Sequence, residues 1–133
     1  MLAVISQWGI SASRVIGPSS EEIAAAVVAG LLIPEEGIKI AYFSGLASQS
    51  HNPGQLLGML AVHVSADAIA PYLESEPTVQ VACYNSPVSL TLSEQQPALK
   101  RVCDALKADG HFARILQVNF AYHSEHVRGT AED

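Results

Sequence analysis

The sequence predicts a mixed α/β fold, and two stretches of the 133-residue chain carry this prediction. In the first, the β-branched pair Val15-Ile16 enters a turn at Gly17-Pro18-Ser19 that leads into a long apolar run. In the second, strand and helix patterns alternate between residues 58 and 118 in the order β-α-β-β-α-β. With 49% hydrophobic and only 15% charged residues, the chain is expected to bury a core.

A helix is predicted at the start of the chain. Leu2, Ile5 and Trp8 recur at helical spacing, and Gly9 is expected to end this helix. Residues 11–14 are then expected to form a turn before the β-branched pair, which is interpreted as a short strand.

Ser19 lies at the apex of the next turn. A strand, a sharp turn with a serine and a buried helix form the layout of a nucleophile elbow, in which the hydroxyl lies near the free N–H groups of the helix. The usual motif is Gly-x-Ser-x-Gly, and Glu21 replaces its second glycine here. From this stretch alone, the favoured interpretation is an ordinary helix start, with Ser19 or Ser20 as N-cap and Glu21 and Glu22 near the positive end of the helix dipole.

Two helices are predicted after the turn. The first runs from about Ser20 to Ala29, is apolar on nearly all sides, and is expected to be covered on several of them before Gly30 ends it. The second begins at Pro34, has two glutamates in its first turn, and runs to about Phe43 or beyond. A loop is predicted from Ser48 to Gly54.

The segment 58–118 is predicted to be a ferredoxin-like unit, a four-stranded antiparallel sheet with two helices on one face. A serine is expected to cap each helix, Ser65 for the first and Ser93, in a capping box with Gln96, for the second. The second helix places Leu99, Val102, Cys103 and Leu106 on one stripe, and Gly110 ends it. The predicted strands are Met59–Val64, Thr78–Cys83, Val88–Leu92 and Phe112–Val118, with the first helix at Ala66–Leu73 and a turn at Asn85-Ser86-Pro87.

Composition argues against several classes of protein. A net charge of −6 speaks against nucleic-acid binding, and no apolar run approaches the length of a membrane span. Cys83 and Cys103 lack a metal-binding spacing and are expected to be reduced thiols of a cytoplasmic protein. His123 and His126 stand three residues apart, but no third ligand is evident, so no metal is expected.

A serine elbow, a ferredoxin-like insert and a later Tyr-His-Ser resemble the acyltransferase domain of polyketide synthases. The resemblance is greatest to the fungal reducing type, with malonyl-CoA:acyl carrier protein transacylase as a relative, and it extends over nearly the whole chain. The similar motifs are Trp8-Gly9-Ile10-Ser11, Ser13 to Gly17, Glu22 to Ala26, Ile40 to Phe43, Ala82 to Pro87, Leu106 to Gly110 and Ala121 to Ser124.

The resemblance implies an acyl-enzyme reaction with no bound cofactor. Ser19 would be acylated by an acyl-CoA and would pass the acyl group to the phosphopantetheine thiol of an acyl carrier protein. His123 would act as the base, the Ser20 N–H would be an oxyanion donor, and Ser44 would stand at the substrate-binding position. Other polyketide synthase domains would then be partners, with no nucleic acid and no membrane.

Three residues depart from the family pattern. Pro18 replaces a histidine, Glu21 replaces the elbow glycine, and Ser44 replaces an arginine that pairs with the malonyl carboxylate. A serine hydroxyl cannot replace an arginine fork, and a carboxylate at Glu21 would repel both a malonyl group and a developing oxyanion. Impaired activity is therefore expected.

The resemblance also implies a domain division. Residues 1–57 and 119–133 would form part of a large α/β-hydrolase-like core, residues 58–118 would be the inserted ferredoxin-like subdomain, and the domain would be truncated at both ends. A non-catalytic remnant, or a module of a synthase that only binds a partner, is the alternative. An ordinary serine hydrolase is a third possibility, and the ferredoxin-like insert speaks against it.

Overall fold

The computed structural model of the chain describes the backbone of residues 2–50, 54 and 56–127. Side chains are described for residues 4–48, 54 and 56–127. The chain divides into two compact units, Met1–Ala47 and Ser48–Asp133, which are described in turn. None of the helices in the described ranges has the length and apolar content that a membrane crossing requires.

The described part of the first unit contains the helices α1 (Leu2–Gln7) and α2 (Glu21–Val28) and all but the last three residues of α3 (Pro34–Ser50). Gly9 and Gly30 take positive φ angles of 74° just after α1 and α2, as expected for helix ends. Helix α3 begins at a proline, and the Ile33 N–H donates to the Glu36 carboxylate at 3.0 Å, which is half of a capping box.

Helix α3 is longer than predicted. It continues to Ser50, so the prediction of a loop beginning at Ser48 is wrong; residues 51–53 of that predicted loop lie outside the described residues. Serine and glutamine have helix propensities close to those of ordinary helix formers, so Ser48-Gln49-Ser50 adds one turn at small cost.

Helices α2 and α3 approach each other at Gly37. This glycine is buried, and a Cβ there would lie 2.7 Å from Cγ2 of Val27 and 3.6 Å from Cγ2 of Ile23. The absence of a side chain thus lets the two helices pack closely. The expected cover on several sides of α2 is not seen, because none of its residues is buried.

The predicted strand at Val15-Ile16 is wrong. Residues 14–18 are irregular, and Ile16 is 95% exposed. A strand is defined by hydrogen bonds to a neighbour, and the described part of Met1–Ala47 contains no other strand with which this pair could form a ladder.

The second unit has the predicted β-α-β-β-α-β order. Its elements are β1 (Leu57–Val62), α4 (Ala66–Ser75), β2 (Gln80–Ser86), β3 (Ser89–Gln95), α5 (Gln96–Ala108) and β4 (Ala113–Ile115). The strands form one sheet in the order β2-β3-β1-β4, and every pairing is antiparallel. The predicted four-stranded antiparallel sheet is therefore confirmed.

The ends of several strands differ from the prediction. Strand β2 extends through Ser86, which pairs with Ser89, so the turn lies at Pro87-Val88 and the predicted turn at residues 85–87 is wrong. Strand β4 covers only residues 113–115 of the predicted 112–118. Cross-strand pairing, which the local sequence does not display, sets these boundaries.

Both helices of this unit contribute to one hydrophobic core with the sheet. Ile69 of α4 and Leu99 of α5 belong to the same buried cluster as Leu60 and Leu90. The predicted stripe of α5 is buried throughout, and Gly110 follows the helix with φ 82°. The Ser65 side chain caps α4 as predicted, accepting from the Ala68 N–H at 3.2 Å.

The predicted capping box of Ser93 and Gln96 is wrong. Ser93 lies inside β3, where it pairs with Met59 of β1 and with Gln80 of β2, and its side chain is fully buried. The N-cap of α5 is Gln95, whose side chain makes no capping hydrogen bond. Pairing in the middle of a sheet prevailed over a local helix-start motif.

A second, smaller cluster forms at the start of β1. Leu57 is three residues from Leu60 and so points to the opposite face of the sheet. It packs against Phe120 and Ala121, with Val127 beside them. The segment after β4 therefore turns back onto the sheet face that the helices do not cover.

Candidate active site

Ser19 has an unusual backbone conformation. Its φ angle is 54°, in the left-handed region that residues other than glycine seldom adopt, and the residue is exposed. The Glu21 N–H donates to the Pro18 carbonyl and the Glu22 N–H to the Ser19 carbonyl, each at 3.1 Å. Ser19 is therefore at the apex of a hydrogen-bonded turn that leads directly into α2.

The turn is tight because Gly17 has no side chain. A Cβ on residue 17 would lie 2.3 Å from the Glu21 carbonyl oxygen and 2.8 Å from the Glu22 nitrogen. Neither backbone atom can move without unwinding the first turn of α2. The first glycine of the elbow motif thus has a steric role, and the side chain of Glu21, at the position of the second glycine, is exposed.

The predicted N-cap role is not seen for Ser20. Ser20 is at the N-cap position, but its φ and ψ of −63° and −20° are helical and its hydroxyl makes no capping hydrogen bond. The Ser20 N–H has no acceptor among the described residues, which leaves it available to a ligand. Glu21 and Glu22 add negative charge in the first turn.

Ser44 is an exposed residue of α3, in the same unit as Ser19 and Ser20. The described groove between α2 and α3, with a volume of about 420 Å³, includes Ser20 at its edge but not Ser44. Its other lining residues are apolar or glycine, so this groove offers no charged partner for a substrate carboxylate: Ile23, Ala24, Val27, Val28, Pro34, Gly37, Ile38 and Ala41.

His123 also has a left-handed backbone, with φ 59°, and its side chain is exposed. It lies in a turn whose flanking residues Ala121 and Ser124 are buried, and the Ser124 hydroxyl donates to the Ala121 carbonyl at 2.6 Å. Phe120 and Tyr122 pack edge to face, with ring centroids 4.8 Å apart. The turn is thus held on both sides of the exposed imidazole.

The sheet supplies contacts to the His123 turn that the sequence did not reveal. His126 Nε2 lies 3.2 Å from Oε1 of Glu94, and the Glu125 N–H donates to the Gln80 side chain at 3.3 Å. These partners are separated by 32 and 45 residues along the chain. No local sequence motif predicts contacts between residues so far apart. These contacts are recognised only in the folded chain, where both partners from the sheet reach the same turn.

The predicted site residues fall into two groups. Ser19 and Ser20 share one turn and Ser44 lies further along the same unit, whereas His123 belongs to the second unit. The predicted proximity of His123 to Ser19 stays a prediction. In the described part of the chain, no three His, Cys, Asp or Glu side chains form a group that could hold a metal ion.

Comparison with known proteins identifies the family. A family model described as the acyl transferase domain matches residues 1–133. A highly reducing polyketide synthase of Arthrinium phaeospermum is 73% identical over 132 residues, covering 99% of this chain and 5% of that protein. A second such synthase, from Stachybotrys chlorohalonatus, is 45% identical over 130 residues, covering 96% of this chain and 5% of that protein. The chain thus spans about 5% of the length of these relatives.

Solved structures of similar fold agree. The acyltransferase domain from module 8 of the salinomycin polyketide synthase superposes with a TM-score of 0.82 and 32% identity, covering 96% of this chain and 31% of that one. A malonyl CoA-acyl carrier protein transacylase from Clostridium perfringens gives a TM-score of 0.83 with 27% identity, covering 98% and 43%. With the match over the full 133 residues, these findings show that the chain belongs to the acyltransferase domain family, together with fungal highly reducing polyketide synthases.

Proposed function

We propose that this chain is the serine- and histidine-bearing part of an acyltransferase that moves a malonyl-like acyl group from CoA to a phosphopantetheinylated acyl carrier protein. One observation carries this proposal. Ser19 and His123 are the two non-glycine residues of the described chain with a positive φ. Such conformations cost free energy and cluster at active sites, and here they coincide with the two residues that the family resemblance assigns to the chemistry.

In the proposed reaction, His123 takes the proton of the Ser19 hydroxyl while Oγ attacks the thioester carbonyl of acyl-CoA. The Ser20 N–H donates to the oxyanion of the tetrahedral intermediate, aided by the positive end of the α2 dipole. The C–S bond then breaks, and the CoA thiolate leaves with the proton from His123. The carrier-protein thiol attacks the Ser19 ester in the same way, and Ser19 regains its proton.

Three substitutions support a proposal of impaired malonyl transfer. Pro18 replaces the histidine before the nucleophile, Ser44 offers a hydroxyl where an arginine would bind a carboxylate, and Glu21 adds negative charge two residues from Ser19. Charge-assisted bidentate pairs contribute roughly 1.5–3 kcal/mol, about one to two orders of magnitude in binding. An acyl group without a free carboxylate would lose less, because it needs no such partner.

We propose the same domain layout as the sequence predicts. The strand order β2-β3-β1-β4 with the β-α-β-β-α-β connectivity supports a ferredoxin-like subdomain over residues 58–118. The turn at Ser19 supports an α/β-hydrolase-like elbow in residues 1–57, with residues 119–133 bringing His123 to the same large subdomain. The free thiols of Cys83 and Cys103 support a cytoplasmic location.

Intact mass spectrometry after incubation with malonyl-CoA or acetyl-CoA tests the proposal. Acylation of the unmodified chain is expected, with loss of the adduct in Ser19→Ala and slower formation in His123→Ala. Glu22→Ala is a matched control, since it changes an exposed side chain of the same turn. An adduct of equal yield in Ser19→Ala would overturn the proposal.

A second candidate is a non-catalytic remnant or a module that binds other domains of a polyketide synthase. The exposed apolar surface of the first unit favours it: Trp8, Ile16 and Leu31 are 72%, 95% and 77% exposed. No adduct with any acyl-CoA, combined with saturable binding to a separately produced synthase domain, would support this alternative.

A further inference from the structure

We infer that Glu94 is a positioning residue, which holds the His123 turn in place through His126. The inference rests on the proposed function for its catalytic consequence, because His123 is the proposed base. Its structural basis lies entirely in the second unit and concerns three contacts between the sheet and the segment that follows β4.

Glu94 is buried in strand β3. This residue is only 7% exposed, and its carboxylate has His126 as its hydrogen-bond partner among the described residues. Taking a carboxylate out of water is costly unless a hydrogen-bonding partner compensates. The side chains of His126 and Glu94 are 22% and 10% exposed, so water screens the pair only in part. The burial of Glu94 thus depends on where His126 lies.

Few polar residues are buried in the described part of the chain. Three polar or charged residues are buried in the described chain, namely Ser93, Glu94 and Ser124. Two are neighbours in β3 and the third immediately follows His123. The Gln80 side chain, opposite Ser93 in the sheet, also accepts the Glu125 N–H at 3.3 Å. Strands β2 and β3 thus each contribute a polar contact to the segment that carries His123.

His123 has a strained backbone conformation. A histidine with φ 59° is less stable than the same residue in an extended or helical conformation, because its Cβ crowds the backbone in the left-handed region. The turn keeps this conformation only if the residues on either side are fixed. Phe120 and Ala121 are fixed by packing on Leu57, and His126 is fixed by Glu94. Glu94 thus supplies a polar contact on the far side of His123, in addition to that of Gln80 with the Glu125 N–H.

The test is amide hydrogen exchange combined with acylation of the full chain. Glu94→Ala should speed exchange at the Glu125 and Val127 amides by about tenfold or more, with the β3 amides changed less than about twofold. Glu94→Gln keeps an acceptor and should restore most of the protection. Glu74→Ala, an exposed glutamate on α4, is the matched control and should change neither set.

Acylation of Ser19 is the second readout. The rate of acylation should fall by about tenfold in Glu94→Ala. The double variant Glu94→Ala/His126→Ala should be no slower than the slower of the two single variants, because both changes remove the same contact. Equal exchange at Glu125 and Val127 in Glu94→Ala and Glu74→Ala would overturn the inference. So would additive effects in the double variant. If Glu94→Ala does not fold, His126→Ala takes its place, and exchange at Glu125 and Val127 equal to that in Glu74→Ala would overturn the inference.

The two proposals fail in different ways. An adduct that survives Ser19→Ala defeats the proposed function but leaves the exchange result standing. Faster exchange in Glu94→Ala with an unchanged rate of Ser19-dependent acylation defeats the positioning role while the proposed function stands.

Discussion

Gly17 and Glu21 approach so closely that a Cβ at residue 17 would lie 2.3 Å from the Glu21 carbonyl oxygen. Both partners in this contact are backbone, so no side chain can rotate away to make room. The shape of the Ser19 turn therefore depends on a residue that takes no part in the proposed chemistry.

Gly17→Ala should destabilise the first unit. Forcing an extra carbon into a packed site commonly costs about 1–3 kcal/mol in free energy of unfolding, and more where backbone must shift. Urea unfolding of the unmodified chain and of Gly17→Ala measures the difference in free energy of unfolding. The control is Gly45→Ala in α3, where an added Cβ meets no atom within 4 Å and alanine should stabilise the helix by about 0.5–1 kcal/mol. Effects of the same sign would contradict the steric explanation.

Leu60→Ala should destabilise the second unit strongly. Leu60 is fully buried at the centre of the sheet, and such truncations cost about 2–5 kcal/mol because a cavity remains. Leu56→Ala removes the same atoms from a residue that is 67% exposed and should change stability by less than about 0.5 kcal/mol. The stability of both variants is measured by chemical denaturation, with hydrogen-exchange protection of the β1 and β3 amides as the signal. Comparable losses would show that the sheet core has been wrongly identified.

The contribution of Glu76 to stability should depend on pH. Its carboxylate accepts hydrogen bonds from Arg101, with Nη2 at 2.8 Å, and this pairing lowers the pKa of Glu76 from its usual 4.5. A lowered pKa in the folded state gives stability above pH 4.5 that is lost as the pH falls through the folded value. Glu76→Gln should therefore lower Tm by at most a few degrees near neutral pH, since Arg101 is exposed, and the difference should shrink in acid. A constant difference across this range, or an equal one in Glu74→Gln, would argue against the pair.

Two substitutions should separate the causes of weak malonyl transfer. Ser44→Arg should increase transfer of malonyl alone, by about one to two orders of magnitude if the carboxylate is bound in a bidentate pair. Glu21→Gly should increase malonyl and acetyl transfer alike, since it removes a charge near the oxyanion. Transfer of labelled acyl groups from CoA to a carrier protein measures both, with Ser19→Ala as blank. Robust malonyl transfer by the unmodified chain would show that these residues matter less than proposed.

The isolated chain should be marginally stable or should self-associate through its first unit. Helix α2 has no buried residue despite an apolar sequence, and the groove it forms with α3 is lined by aliphatic side chains. Sedimentation velocity over a concentration series measures the association. Replacing Ile38, which is 71% exposed in that groove, by glutamate should reduce it. A cooperative melt of a monomer at all concentrations would contradict this prediction.

The correct sequence predictions rest on short-range patterns. The Ser65 cap depends on a residue three positions away, and the buried stripe of α5 follows from helical periodicity alone. The β-α-β-β-α-β order follows from the alternation of such patterns. In each case the determining contacts lie within one element, so the sequence displays them.

The errors arise where distant residues decide. Ser93 has the sequence of a helix cap, yet pairing with Met59 across the sheet places it in a strand. Val15-Ile16 has the composition of a strand but no partner in the described part of its unit. The positive φ angles of Ser19 and His123, and the contact between Glu94 and His126, are properties of the folded chain and left no local signal.

The irregular pairing of β2 has a consequence for how the sheet ends. Strand β2 is an edge of the described sheet, and an edge presents unpaired backbone groups that can recruit a strand from another molecule. Its register with β3 shifts between Val81 and Cys83 and again between Tyr84 and Ser86. Such bulges bend and twist an edge, so that a straight strand cannot extend it. At the β2 edge these bulges oppose pairing with a straight strand of another molecule, even though β2 carries apolar side chains.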